Sequence, residues 1–161
     1  MKTMWRQLVI GSDHAGYALK EAVKSVLREM GITALDVGTF NADSVDYPDY
    51  ACFVAEKVSS GEYEAGILLC GSGVGMSIVA NKFPGVRAAL CLDEYTAEMS
   101  RRHNDANILI LAGRQTEAVA MEKIVKTWLA TEFDGGRHGR RLSKIREIEA
   151  KQMRGTGTCQ N

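Results

Sequence analysis

Residues 65–83, AGILLCGSGVGMSIVANKF, decide the predicted fold class. The first six form a continuous apolar run with the length of a buried strand, and MSIVANKF predicts a short helix. Between them, glycines at positions 71, 73 and 75 allow backbone N–H groups to turn inward and bind an oxyanion. The loop matches neither GxxxxGK[ST] nor GxGxxG, because no Lys follows it and its third glycine comes one residue early. Such a turn is either an anion-binding loop or a purely structural connection.

Predicted strands and helices alternate along the chain on both sides of this segment. Apolar runs predict strands over residues 5–12, 32–37, 65–70, 86–92 and 108–111. Helical periodicity predicts helices over 18–30, 48–60, 76–83, 95–103, 116–131 and 138–151, with the charged side chains of the first, Lys20 among them, outside its apolar stripe. Because the strands are continuous apolar runs, they predict a parallel sheet covered on both faces. The predicted class is α/β, a three-layer αβα sandwich with a five-stranded parallel, Rossmann-like sheet.

Length and charge limit the classes of protein to which the chain can belong. Its 161 residues predict a single domain over 1–151, including a C-terminal helix, followed by a flexible, polar tail over 152–161. The 20 basic and 20 acidic side chains balance, which argues against a nucleic-acid coat or a membrane-surface protein. No apolar run is long enough for a membrane span or a signal peptide. We therefore expect neither a nucleic-acid partner nor a membrane.

The cysteines and histidines show none of the spacings typical of disulfide frameworks or metal sites. Cysteines stand at positions 52, 70, 91 and 159, and the first three lie in apolar surroundings, which predicts reduced thiols in a cytoplasmic protein. Histidines stand at 14, 103 and 138 without an HxxxH or HExxH spacing. The sequence thus predicts no metal site.

Chemically active side chains follow several of the predicted strands. In a parallel α/β sheet, ligands bind at the carboxyl ends of the strands, and Cys70 stands at such an end. Asp13 and His14 follow the first strand, and His103 ends the helix after the fourth. We expect these four side chains to converge on one edge of the sheet. Simpler alternatives remain: Cys70 as a buried apolar side chain, Asp13 as a helix N-cap and His103 as a surface histidine.

The C-terminal segment is locally basic. Arg137 and Arg141 are four residues apart and share one face of the predicted helix. The pattern is typical of a solvated amphipathic helix that packs through Leu142, Ile145 and Ile148. It would also suit two arginines that bind a phosphate dianion through bidentate hydrogen bonds.

Five segments occur together in an order that carries a resemblance to a known family. They are GSDHAGYALK (11–20), VDYPDYA (45–51), LLCGSGVGMSIVANKFPGVRAAL (68–90), SRRHNDANIL (100–109) and GGRHGRRLSKIREIE (135–149). The chain resembles the RpiB/LacA/LacB family of sugar-phosphate isomerases, and within it the ribose-5-phosphate isomerases of the B type. The resemblance extends to about residue 150.

The resemblance implies an intramolecular oxidoreductase of the pentose phosphate pathway that needs no cofactor and no metal. Its reaction would be the reversible aldose–ketose isomerisation of D-ribose 5-phosphate to D-ribulose 5-phosphate through a cis-enediolate. Cys70 would move the proton between C1 and C2, and Ser72 would assist. His103 would donate the proton in ring opening, with Asp13 nearby. Some family members use a Glu shortly after the glycine loop, and Met76 in that neighbourhood identifies this chain with the Cys subtype.

The remaining implied positions bind the substrate. The loop residues would hold the developing oxyanion: Gly71, Gly73, Val74 and Gly75. The phosphate would be held by His14, Arg137 and Arg141. Further ligand contacts are implied for Tyr47, Asn104 and Arg114. The resemblance also implies a homodimer with the site at the subunit interface, or a dimer of such dimers.

Two alternatives stay open from the sequence. One is an isomerase of a six-carbon sugar phosphate, allose 6-phosphate or galactose 6-phosphate, because the depth of the pocket is not visible in the sequence. The other is a non-catalytic sugar-phosphate-binding module on the same scaffold, since a fold does not imply a function. The presence of Cys70, His103, Asp13 and both arginines in one chain favours a self-sufficient homodimer.

Overall fold

A computed structural model describes residues 5–154, in which strands and helices alternate as predicted. The elements are, in chain order, β1 (Gln7–Ser12), α1 (Tyr17–Glu29), β2 (Thr33–Asp36), α2 (Tyr47–Ser59), β3 (Gly66–Cys70), α3 (Val74–Ala80), β4 (Ala88–Leu90), α4 (Glu94–Asn104), β5 (Ile108–Ala112), α5 (Ala118–Ala130) and α6 (Gly136–Met153). Helix α6 continues two residues beyond its predicted end at 151, and residues 155–161 of the predicted tail lie outside the described residues.

All five strands pair in parallel in one sheet, with the order β2-β1-β3-β5-β4. The chain moves outward from β1 to β2 and then returns to the other side of β1 for β3, so the strand order reverses between β1 and β3. In open α/β sheets, the crevice outside the carboxyl ends at this reversal is where ligands bind. Cys70 ends the central strand β3 beside Ser12 at the end of β1.

The core is divided between the two faces of the sheet. On one face, β-strand residues such as Ile10 and Leu69 pack with apolar residues of α1, α4 and α5, including Trp128. On the other face, Val9 and Leu68 pack with α2 and α3. Since β1, β3 and β5 are buried on both faces, their continuous apolar runs are explained, and the predicted three-layer fold is confirmed.

Lys20 does not lie on a solvent-facing side of α1, so that prediction was wrong. Its side chain is fully buried, and Nζ donates to Asp36 Oδ1 at 2.6 Å and to the Thr39 carbonyl at 2.6 Å. It occupies the same helical face as the buried Val23 and Leu27, three and seven residues later. The carboxylate of Asp36 supplies the opposite charge that a buried ammonium needs.

A second buried cation, Arg101, lies beside two stacked tryptophans. The ring centres of Trp5 and Trp128 are 6.2 Å apart, and the guanidinium carbon of Arg101 lies 5.2 Å from the first centre and 5.6 Å from the second. Arg101 Nη1 also donates to Asp105 Oδ1 at 2.9 Å and to the Ala106 carbonyl at 2.6 Å. These contacts fix the end of α4, where the chain turns through the left-handed conformation of Asp105.

The three cysteines within residues 5–154 are free thiols in different surroundings. Cys91 is fully buried, and burial raises the pKa of its thiol to about 11. Cys52 is half-buried, and its Sγ lies 3.6 Å from Glu56 Oε1, so the prediction of apolar surroundings was wrong for this residue. Cys70 is buried at the end of β3.

Within residues 5–154, no helix combines the length and the apolar composition that crossing a membrane requires.

Candidate active site

A cavity of about 340 Å³ opens at the carboxyl edge of the sheet, at the reversal between β1 and β3. It brings together most of the residues that the sequence predicted for the site. Its lining contains Asp13, His14, Ala15, Tyr47, Cys70, Gly71, Ser72, Gly75, Arg114 and Gln115. We call it the thiol pocket, because Cys70 is the nucleophilic side chain among these residues.

The glycine loop is bent around the sulfur of Cys70. The backbone N–H of Gly73 donates to Cys70 Sγ, with an N–S distance of 3.2 Å. Gly73 has φ +77°, and a Cβ there would lie 2.4 Å from Leu90 Cδ1. Both the left-handed backbone and the missing side chain therefore require glycine at this position. The N–H that this turn directs at the sulfur would stabilise negative charge on a thiolate.

Asp13 and His14 are held at the mouth of the pocket by backbone N–H groups. Asp13 is buried, and its Oδ1 accepts from the N–H of Gly16 at 2.9 Å. Gly16, and not Asp13, is the N-cap of α1, so the N-cap alternative for Asp13 was wrong. His14 Nδ1 accepts from the N–H of Val45 at 3.2 Å. In a neutral His14 the proton therefore lies on Nε2, which is left as a hydrogen-bond donor.

Tyr47 and Arg114 close the two sides of the glycine loop. A Cβ on Gly75 would lie 2.6 Å from the Tyr47 ring, so this ring packs directly on the loop. On the other side, the N–H of Arg114 donates to the Gly71 carbonyl at 3.0 Å, and the N–H of Gly113 donates to the Cys70 carbonyl at 2.7 Å. The end of β5 is thereby fixed to the pocket.

Three of the other predicted residues, His103, Arg137 and Arg141, belong to a second cluster at the opposite edge of the sheet. The rings of His103 and His138 stack in parallel, with centres 4.2 Å apart and an interplanar angle of 2°. Arg102 Nε donates to Asp134 Oδ1 at 3.1 Å, and Arg137 Nε donates to His138 Nε2 at 3.4 Å. We call this group the histidine–arginine cluster. The sequence patterns did not single out His138 or Asp134, although His138 stands one position after Arg137 in the segment GGRHGRR.

The charges in the histidine–arginine cluster shape its titration. Burial lowers the pKa of His138, and the positive fields of His103, Arg137 and Arg141 lower it further, while Asp134 opposes them. The hydrogen bond from Arg102 holds the pKa of Asp134 below its usual range.

The same cluster contains three groups that could ligate a metal ion, which no sequence spacing had indicated. The ligand atoms of His103, Asp134 and His138 lie within 4.8 Å of one another. Asp134 already accepts from Arg102, and Arg137 donates to His138. With these arginines adjacent, the charge of the cluster suits an anion better than a divalent cation.

The prediction that His103 joins Cys70 at one edge is wrong for a single chain. Helix α4 returns from the carboxyl end of β4 to the start of β5, so its last residues, His103 and Asn104, lie at the amino edge. Helix α5 returns in the same way, which brings Arg137 and Arg141 on α6 to that edge. The two edges are separated by roughly the length of a five-residue strand, about 16 Å. Asn104 lines a different cavity, of about 670 Å³, between β4, α4 and α6.

A buried thiol and carboxylate beside an amide-lined turn, at the reversal of a parallel sheet, are typical of α/β enzymes whose pocket binds a small polar substrate and moves protons. The chain belongs to the Ribose/Galactose Isomerase family, whose sequence profile matches residues 8–145.

Individual relatives are similar over almost their entire length. Ribose-5-phosphate isomerase B of Escherichia coli (strain K12) is 42% identical over 147 residues, 91% of this chain and 99% of that protein. The structure of Clostridium thermocellum ribose-5-phosphate isomerase B is 52% identical, with a TM-score of 0.89, and the match covers 91% of this chain and 99% of that one. A structure of ribose-5-phosphate isomerase B from Mycoplasma genitalium with bound ribulose-5-phosphate is 39% identical, with a TM-score of 0.88 and 93% and 99% coverage.

Proposed function

We propose that this chain catalyses the reversible isomerisation of D-ribose 5-phosphate to D-ribulose 5-phosphate. Relatives named ribose-5-phosphate isomerase B, at 39% to 52% identity over at least 90% of the chain, support this substrate. The observation that carries the proposal is the thiol of Cys70 in a pocket of sugar size, with the Gly73 N–H directed at its sulfur.

Cys70 acts as the base in the proton transfer. Its thiolate removes the proton from C2 of the open-chain aldose. The electron pair of that bond forms the C1–C2 double bond of the enediolate, while the π pair of the C1 carbonyl moves onto O1. The hydroxyl proton of O2 then passes to O1, assisted by Ser72, and Cys70 returns its proton to C1, which gives the ketose. Positioned proton transfer of this kind contributes about 10²–10⁴-fold to a rate. The backbone of Gly71–Gly75 stabilises the negative charge that develops on the two oxygens.

Opening of the furanose ring precedes the isomerisation. We assign the proton donor to His103, which acts beside Asp13 in the assembled site. The phosphate is bound by His14 through Nε2–H and by Arg137 and Arg141. Binding of this remote group orients the reacting carbons against Cys70. Tyr47, Asn104 and Arg114 contribute further ligand contacts.

These assignments require two copies of the chain. Cys70, Asp13 and His14 lie at the carboxyl edge, whereas His103 and the arginines lie at the amino edge of the same chain, roughly a strand length away. We therefore propose a homodimer in which the histidine–arginine cluster of one copy completes the thiol pocket of the other. A two-fold axis would form two such sites in each dimer.

Exposed apolar side chains near the thiol pocket support this assembly. Between 49% and 69% of each side chain is exposed for Val74, Ile78, Leu92 and Tyr95. Val74 and Ile78 lie on α3, which follows the glycine loop, while Leu92 follows β4 and Tyr95 lies at the start of α4, at the same carboxyl edge of the sheet. An apolar surface of this kind is typical of a protein–protein interface. A cytosolic location remains a prediction from the free thiols.

The function is tested by assaying purified, metal-free protein with ribose 5-phosphate and following ribulose 5-phosphate by its absorbance. We expect turnover that falls at least about a hundredfold in Cys70→Ala, because the base is lost. Cys52→Ala is the matched control, since Cys52 lies on α2 outside the thiol pocket, and its turnover should equal that of the parent. Turnover by Cys70→Ala at the parental rate would refute the assignment of the base.

Parallel assays with allose 6-phosphate and galactose 6-phosphate distinguish the substrate class. A larger kcat/KM for either six-carbon sugar would replace ribose 5-phosphate as the substrate. Binding of these sugars without turnover on any of them would support the non-catalytic module.

A further inference from the structure

Lys20 is a fully buried cation to which the chemistry above gives no role. Its Nζ lies 2.6 Å from both Asp36 Oδ1 and the carbonyl oxygen of Thr39. Asp36 Oδ1 also accepts from the N–H of Gly38 at 2.9 Å. The ring of Phe40 lies over the ammonium, with its centre 5.1 Å from Nζ. One ammonium thus holds the chain from the end of β2 to Phe40.

The segment that Lys20 holds is also bonded to the end of β1. The N–H of Ser12 donates to the Gly38 carbonyl, and the N–H of Thr39 donates to the Ser12 carbonyl, both at 2.7 Å. Ser12 directly precedes Asp13 and His14 of the thiol pocket. The segment that Lys20 holds is therefore bonded to Ser12, two residues before the proposed phosphate-binding His14.

The same loop then continues to the partner of His14. Residues 41–44 are exposed, and Val45 follows, whose N–H donates to His14 Nδ1. Tyr47, which packs on the glycine loop, comes two residues later. The loop from Asp36 to Tyr47 is thus held at its base by the buried ammonium and contacts the pocket at its far end.

We propose that Lys20 is a positioning residue, which holds the loop over residues 37–46 so that Val45 fixes the His14 ring with its Nε2–H toward the substrate phosphate. The inference rests on the proposed function for the identity of the ligand, but the link between Lys20 and the His14 tautomer does not depend on it. Lys20 contacts neither the pocket nor the reacting atoms, so it acts through Val45 and His14.

The test replaces Lys20 with Met, which keeps the length of the side chain and removes the ammonium. We expect KM for ribose 5-phosphate to rise about tenfold with kcat within about twofold, because ground-state and transition-state binding of the phosphate are lost equally. Lys24→Met is the matched control. Lys24 Nζ also bonds Asp36, through Oδ2 at 2.7 Å, but it is partly exposed and has no bond to Thr39, so its KM should stay at the parental value.

A second readout separates positioning from a general loss of stability. Nitrogen NMR of the His14 ring should show a single neutral tautomer, protonated on Nε2, in the parent and in Lys24→Met, and a mixture of tautomers in Lys20→Met. In a His14→Asn background, Lys20→Met should add less than about a twofold change in KM, since its effect passes through His14. If Lys20→Met does not fold, Lys20→Gln, which also removes the ammonium, replaces it with the same expected results.

Three results would overturn the inference: an unchanged His14 tautomer, an unchanged KM, or a KM effect that is fully retained in the His14→Asn background. If the parent does not turn over ribose 5-phosphate, the proposed function fails, and the NMR comparison still decides whether Lys20 controls His14.

Discussion

The shared site can be tested by building dimers from two defective chains. One chain carries Cys70→Ala and the other His103→Asn, each with its own affinity tag, and the mixed dimer is isolated through both tags after coexpression. One of its two sites then combines an intact Cys70 from one copy with an intact His103 from the other, while the second site lacks both. The mixed dimer should show about half of the parental turnover per dimer, because one of two sites is complete.

The expected turnover of the mixed dimer is far above that of the two mutant homodimers. A homodimer of Cys70→Ala lacks the base at both sites, and a homodimer of His103→Asn lacks the ring-opening donor at both. Loss of such a group lowers the rate about 10²–10⁴-fold. Recovery to about half of the parental rate would thus exceed either homodimer by at least about fiftyfold. Ribose 5-phosphate is the substrate, and the formation of ribulose 5-phosphate is followed continuously.

A reciprocal dimer provides the control, with both substitutions on one chain and none on the other. If each site takes residues from both copies, neither site is complete, and this dimer is inactive. If each chain formed its own site, the unmodified chain would contribute half of the parental turnover, and the first mixed dimer would be inactive. Activity in the reciprocal dimer together with inactivity in the first would refute the separation of the two clusters that we infer from the sheet topology.

Three further outcomes are expected. Iodoacetamide should inactivate the enzyme through Cys70, and substrate should protect it. Cys91, whose pKa is about 11, should stay unlabelled. Full activity in protein whose Cys70 is shown by mass spectrometry to be labelled would contradict a catalytic thiol. Gly73→Ala should lower the free energy of unfolding by at least about 1–2 kcal/mol, because φ at Gly73 is +77°. Gly71→Ala is the control and should destabilise far less, since its Cβ would meet nothing nearer than 3.5 Å. Equal urea midpoints for the two variants would argue against strain at Gly73. Burial raises the pKa of Asp36, but the hydrogen bonds from Lys20, Lys24 and Gly38 outweigh it and hold that pKa below its usual range. The stability advantage of the parent over Asp36→Asn should therefore be full at pH 7 and shrink as pH falls below about 4. A constant difference in the free energy of unfolding down to pH 2 would be inconsistent with an ionised pair.

Local patterns in the sequence were sufficient for the order of elements, because strands buried on both faces leave continuous apolar runs. The ends of the elements were predicted less accurately than their order. The fourth strand was predicted over residues 86–92 and is formed only by Ala88–Leu90, the edge strand that pairs with β5 alone. A central strand is bounded by hydrogen bonds on both sides, whereas an edge strand has half as many constraints.

Residues that are positioned by their own strand could be predicted from the sequence, whereas residues that are positioned by contacts between distant elements could not. Cys70 and the glycine loop are placed by β3 itself, and the sequence was enough to find them. His103 lies at the opposite edge because α4 returns from the carboxyl end of β4 to the start of β5, as a parallel sheet requires. Lys20 and Asp36 are sixteen residues apart, and helical periodicity cannot show a pairing that forms between two elements.

The stacked tryptophans beside Arg101 give the chain a spectroscopic label at one end of the molecule. The sequence contains two tryptophans, Trp5 and Trp128, and both lie at the amino edge, with Arg101 two residues before His103. Their fluorescence therefore reports the surroundings of Arg101 at the amino edge and not those of the thiol pocket. Emission can follow the unfolding of this end of the molecule, while the thiol of Cys70 can carry a separate label, so the two edges of the sheet can be observed independently in one sample.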